Sequence, residues 1–194
     1  MNLTQLTNPV LIALAVAASL GVAALAWLYV QRRRRTTTAE LRQRFGSEYE
    51  RAIGEHGSEG RGEAHLAARE KRVEKLKIRD LDPATREHFL GQWQAVQSRF
   101  VDDPKTAIIE ADALVSAVMQ ARGYPVADFN QRAADVSVDH PRVVANYRSA
   151  HEIASRLEKG EASTEDLRTA TLEYRSLFEE LVHVPAAAEI KEVA

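Results

Sequence analysis

Five acid, base and metal-ligand side chains crowd one short stretch, ADVSVDHPRVVANYRSAHE: Asp135, Asp139, His140, His151 and Glu152. Carboxylates and imidazoles at such density can hold a divalent metal or move protons. Each also has an ordinary structural role open to it. Asp139 stands two residues before Pro141, where it would cap a helix, and His140 lies beside that cap. His151 falls on an apolar stripe with Val144, Tyr147, Ala154 and Leu157, where a histidine usually serves as a hydrogen-bonded core residue. Glu152 can pair with Arg148 or Arg156 at helical i,i+4 spacing. The five are weak candidates for a metal or catalytic site, and the structural reading is preferred.

Other constellations are weaker. Glu180 and His183 have the spacing found in helical di-iron bundles, but those need a second such motif and two further glutamates. His56, Glu59, Glu63 and His65 lie among glycines and read as a solvated hinge. There is no Cys, which excludes disulfides, a thiolate nucleophile and Cys-ligated zinc. No phosphate loop, dinucleotide glycine pattern or Gly-x-Ser-x-Gly elbow is present. The basic run Arg69 to Arg79 is interleaved with Glu70 and Glu74, as on a solvated helix face. Tyr124, Pro125 and Phe129, with Val136 and Val138, gather in an irregular connection, Gly123 to His140. They either close one end of a helical bundle or form a partner-binding surface.

The elements that must position these residues are helical. Asp82-Pro83 and Asp103-Pro104 each supply a cap and a first-turn proline. Phe89, Trp93, Val96 and Phe100 mark the first helix of the bundle. Ala107, Ile108, Ala111, Leu114, Val115, Val118 and Met119 give the second the widest apolar face. Gly123 ends it and Pro125 prevents continuation. Asp128 caps a short helical piece, Val136-Ser137-Val138 reads as extended, and Asp139-His140-Pro141 starts the third helix. Ser163 and Asp166 resemble a capping box, after which Leu167, Ala170, Tyr174, Leu177 and Leu181 form a heptad seam. No segment alternates with period two, so the fold class is all-α. An antiparallel four-helix bundle with a short extra helix is expected over 81–184, followed by a loose tail, 185–194.

Residues 31–80 read as a basic juxtamembrane stalk. Leu41, Phe45, Tyr49 and Ile53 form one narrow stripe, and Gly54, Gly57, Gly60 and Gly62 break it, which predicts a hinge from His56 to Gly62. Leu66, Val73 and Leu76 then follow coiled-coil spacing, with Arg69 in the fourth seam position. Such a polar helix packs only a thin edge.

Val10 to Val30 is an uncharged run of 21 residues. As a helix it is about 31 Å long, the hydrocarbon thickness of a bilayer. It is too long for a signal peptide, and residues 1–9, a short extracytoplasmic N-terminus, carry no positive side chain. Trp27 and Tyr29 suit the interface, and Arg32, Arg33, Arg34 and Arg35 resist translocation. They predict a single transmembrane helix, 10–30, with the C-terminal domain cytoplasmic and the bilayer as first partner. From Gln31 to Asp80 there are 14 Lys and Arg against 9 Asp and Glu; from Leu81 onward there are 12 against 19. The basic half suits anionic lipid. The acidic distal half argues against nucleic acid, which needs a clustered basic face.

At LRQRFGSEYERAIGEHG, REKRVEKLKIRDL, RFVDDP and RGYPVADFNQRAADVSVDHPRVVANYR the chain resembles a family of bacterial proteins with one N-terminal membrane helix and an Arg run. Its members are usually called hypothetical or membrane proteins. The resemblance implies a bacterial inner-membrane protein with one anchored helical architecture. It brings no activity, catalytic residue or cofactor.

The sequence thus points first to a non-enzymatic scaffold or protein-interaction module on the cytoplasmic face, without cofactor, binding a protein partner. A metal-binding or enzymatic domain built on Asp135 to Glu152 is the second reading, and a small-molecule sensor the third.

Overall fold

The computed structural model describes residues 38–125 and 127–183, with Leu14, Val16, Ala18, Leu20, Gly21, Val22, Leu25 and Trp27. Those eight N-terminal positions are helical. The rest of the 10–30 span, Tyr29, Arg32 to Arg35 and the 185–194 tail lie outside the described residues. No helix among the described residues is long and apolar enough to cross a membrane.

The chain divides into two units, Met1–Gln43 and Arg44–Ala194. Among the described residues of the second, seven helices follow in order: α1 (Ser47–His56), α2 (Glu59–Val73), α3 (Pro83–Asp102), α4 (Pro104–Arg122), α5 (Phe129–Asp139), α6 (Val144–Glu158) and α7 (Thr164–His183). No strand occurs among the described residues, so the fold is all-α.

Local chemistry explains the boundaries. The carboxylates of Asp82, Asp103 and Asp128 accept from the backbone N–H of Thr85, Thr106 and Gln131, capping α3, α4 and α5. Ser163 and Asp166 bond reciprocally at the start of α7, as a capping box does. Gly123 ends α4 at φ 100°. A Cβ there would collide with the carbonyl oxygen of Lys77, so only glycine fits.

The apolar core is a helical bundle. Helices α3, α4, α6 and α7 contribute most of it, from Phe89 and Trp93 through Ile108 and Val115 to Tyr147 and Leu177. Trp93 stacks on Phe178 with ring centroids 4.8 Å apart. Helix α3 packs on α4, α4 on α7 and α6 on α7.

Three expectations change. The stretch read as a stalk does not stand apart from residue 81 onward, because residues 44–80 fold within the same compact unit as the bundle. Helices α1 and α2 pair as a hairpin, and α2 packs on α5, which in turn packs on α6. The glycines are not a hinge. Gly57, at φ 72°, makes a tight turn, and Gly62 lets the two helices approach so closely that a Cβ would sit 3.0 Å from the Ile53 backbone. Finally, Val136-Ser137-Val138 is helical, inside α5. Residues 133–138 are buried throughout, so this part of the helix is covered on several sides.

Candidate functional site

The hairpin meets the bundle through charge. Glu48, Arg51 and Glu55 recur at three and four residues on α1, and His65, Arg69 and Arg72 recur at four and three on α2. Each set shares one helix face. Opposite them lie Gln131, Asp135 and Ser137 of α5 and Arg148 of α6.

Glu48 is 2% exposed and receives two guanidinium groups. Arg69 donates from Nη1 to Oε2 at 3.0 Å. Arg148 donates from Nε to Oε1 at 2.8 Å and from Nη2 to Oε2 at 3.0 Å. Burial pushes the Glu48 carboxyl up, but Arg148 and then Arg69 outweigh it and hold it below its ordinary value. Arg69, 3% exposed, also reaches Ser137 Oγ at 3.3 Å. Beside it, Asp135 Oδ1 takes Arg72 Nε and Gln131 Nε2, both at 2.8 Å. Removing one partner of such a buried pair strands the other charge and typically costs about 3–5 kcal/mol.

Above this network opens a cavity of about 570 Å³ lined by Arg51, His65, Arg69, Arg72, Gln131 and Arg148, with Glu55, Asp128 and Asn130 in its wall. A neighbouring cavity of about 310 Å³ shares Arg51, Asn130 and Arg148 and adds Phe129, His151 and Glu152. Burial, then the charges of Arg69, His56 and Arg72, hold the His65 imidazole below its ordinary pKa, so the cavity favours the neutral ring.

The five candidates of the 135–152 stretch are not brought together. Asp135 pairs with Arg72. Asp139 ends α5 rather than starting a helix, and accepts the Tyr124 hydroxyl at 2.8 Å. His140 is buried, with Nδ1 3.2 Å from Glu180 Oε1. His151 stacks on Phe129 at 3.6 Å, its Nδ1 3.9 Å from Asp112 Oδ1. Glu152 faces the smaller cavity, while Arg148 and Arg156 bond Glu48 and Asp166 instead. No group of three or more His, Cys, Asp or Glu that could hold a metal occurs among the described residues. His56 and His65 do meet, with ring centroids 4.3 Å apart, but Glu63 and Glu59 share the single proton of the Tyr49 hydroxyl, at 3.1 and 3.4 Å.

Tyr124, Pro125 and Phe129, read either as closing one end of the bundle or as a partner surface, differ in exposure. Tyr124 belongs to the core, Phe129 packs against it, and only Pro125 is exposed. An aromatic ring in a connection is more stably placed under it than on it.

Glu48, Arg69 and Arg148 were not singled out as site residues. One signal was legible: Arg69 occupies the seam position between Leu66 and Val73, where a charge needs a partner once the seam is buried. Comparison with known proteins finds no matching family model, no matching curated protein and no matching solved structure.

Proposed function

We propose that this chain is a single-pass membrane-anchored protein whose helical module works on the cytoplasmic face as a non-enzymatic binding or scaffolding unit for a protein partner. The observation that supports it most is the exposure of the apolar N-terminal helix. At about 100° per residue, Leu14, Val16, Leu20, Val22, Leu25 and Trp27 fall on several sides of the axis. Each is more than half exposed, from 51% at Val16 to 68% at Val22 and Leu25. A helix apolar all round belongs in lipid or in a protein core. Arg32 to Arg35 supply the charge bias that keeps the following domain in the cytoplasm. The resemblance to bacterial anchored proteins agrees with an inner-membrane location. The dispersal of the acid and base candidates among separate partners favours binding over catalysis.

The test is a pair of reporters fused after Ala194, one active only in the cytoplasm and one only in the periplasm, with alkaline extraction of the membranes. The fusion should stay in the membrane pellet and signal from the cytoplasm. Neutral replacement of Arg32 to Arg35 should leave it inserted but give both signals. Release by alkali, or a periplasmic signal from the parent, overturns the proposal.

A further inference from the structure

We infer that the arginine-lined cavity between the α1–α2 hairpin and helices α5 and α6 binds a small anion carrying a phosphate group. Four guanidinium groups, Arg51, Arg69, Arg72 and Arg148, reach one cavity of about 570 Å³ from three different helices. Two of their charges are answered locally: Arg72 by Asp135 and Arg51 by Glu55. The other two, Arg69 and Arg148, share the single carboxylate of Glu48, so two largely buried guanidinium groups have one buried acid between them, and the further carboxylate in the wall, Asp128, is exposed. An uncompensated buried charge is costly, and an anion seated over it supplies the balance.

Hydrogen-bonding capacity points the same way. Arg69 lines the cavity and is almost fully buried; its Nε has no hydrogen-bond partner and is itself shielded from solvent, so it adds to the unanswered buried charge rather than offering a donor at the cavity surface. The first turn of α5 contributes Asn130 and Gln131 to the wall. The positive end of this 11-residue helix adds to the attraction, although its cap, Asp128, sets one carboxylate at the rim. Phosphate fits better than carboxylate because it offers three oxygens to donors arriving from several directions, and guanidinium forks match it. The volume exceeds that of a bare phosphate and lies in the range of small-molecule sites, about 300–1,000 Å³. The ligand is therefore a phosphomonoester with an organic part, supplied either as a soluble metabolite or as a lipid headgroup. The inference stands independently of the membrane anchor.

The experiment is calorimetric titration of the full chain in neutral detergent. One arm uses inorganic phosphate and glycerol phosphate against chloride at equal ionic strength. The other compares mixed micelles containing phosphatidic acid with micelles containing phosphatidylcholine. Arg51→Gln removes an exposed guanidinium whose ion pair is with its own helix. Asn130→Asp places a carboxylate in the cavity at a helix start, where negative charge does not harm folding. Circular dichroism confirms that both variants fold. Each should weaken binding about tenfold, the loss of one charge-assisted contact. Arg99→Gln, on the α3–α4 side, should leave it unchanged. A response in the first arm identifies a soluble ligand, and one confined to the second a headgroup. Failure of both arms to exceed their controls, or binding that survives intact in Arg51→Gln and Asn130→Asp, overturns the inference.

Discussion

Glu48 and Arg148 lie 100 positions apart, and Arg148 clasps both oxygens of the Glu48 carboxylate, at 2.8 and 3.0 Å. This contact ties the first helix of the hairpin to the bundle. Because Arg69 bonds the same carboxylate from α2, one side chain links α1, α2 and α6.

Glu48→Gln should therefore destabilise the domain by about 3–5 kcal/mol, since it leaves two guanidinium groups without their carboxylate. Glu55→Gln, half exposed on the same helix, should change stability by less than about 0.5 kcal/mol. Urea unfolding followed by circular dichroism compares them; equal effects would mean that the buried pair contributes little.

Glu48 and His140 are two of the groups that make stability depend on pH, and His65, also held low, acts in the same direction as His140. Glu48 has a folded pKa below its ordinary 4.5, so its contribution is complete above pH 4.5 and is lost as pH falls through the folded value. His140 is also held low, mainly by burial, although Glu180 opposes the shift. Its unfolded form takes up a proton first, near pH 6.5, so its contribution is complete above 6.5 and declines as pH falls below it toward the folded pKa. Stability should decline as pH falls below about 6.5, and His140→Gln should flatten that decline. An unchanged slope in the variant would assign the decline to another group.

The glycines separate by their surroundings. Gly62→Ala places a Cβ 3.0 Å from the Ile53 backbone and should cost about 1–3 kcal/mol, as overpacking does. Gly54→Ala meets nothing within 4 Å and should add about 0.5–1 kcal/mol through helix propensity. Thermal unfolding reads both; the same sign for the two would contradict the close approach of α1 and α2.

Val73 is 5% exposed, as buried as Trp93. Val73→Ala should cost about 1.5–2.5 kcal/mol for two buried methyl groups plus the space they leave. Trp93→Ala should cost about 3–5 kcal/mol. Both should lower a single unfolding transition. Two transitions, with Val73→Ala moving only the earlier one, would restore a separate stalk.

Much of the fold was legible where local chemistry decides it. Asp82, Asp103, Asp128 and the Ser163–Asp166 pair cap helices from within their own first turn, and the seam from Leu167 to Leu181 is buried as its spacing predicts. Legibility ended where a distant residue decides. Asp139 had the sequence of a cap, yet its partner is Tyr124. Val136 and Val138 had strand propensity, yet helix α5 is packed from more than one side. The candidate site was hidden for the same reason: Glu48 finds Arg148 only after the whole unit has folded, and no spacing rule reaches so far.

The central structural claim is that hairpin and bundle form one cooperative unit joined at Glu48, because the cavity has walls from both. Native-state hydrogen exchange on the full chain in detergent tests it most directly. In the parent, buried amides of α1 and α2 should exchange with the same opening free energy as those of α4 and α7. In Glu48→Gln the α1 and α2 amides should exchange faster, while those of α4 and α7 keep a higher opening free energy. Amides of α1 and α2 that already exchange orders of magnitude faster than α4 and α7 in the parent would contradict the claim.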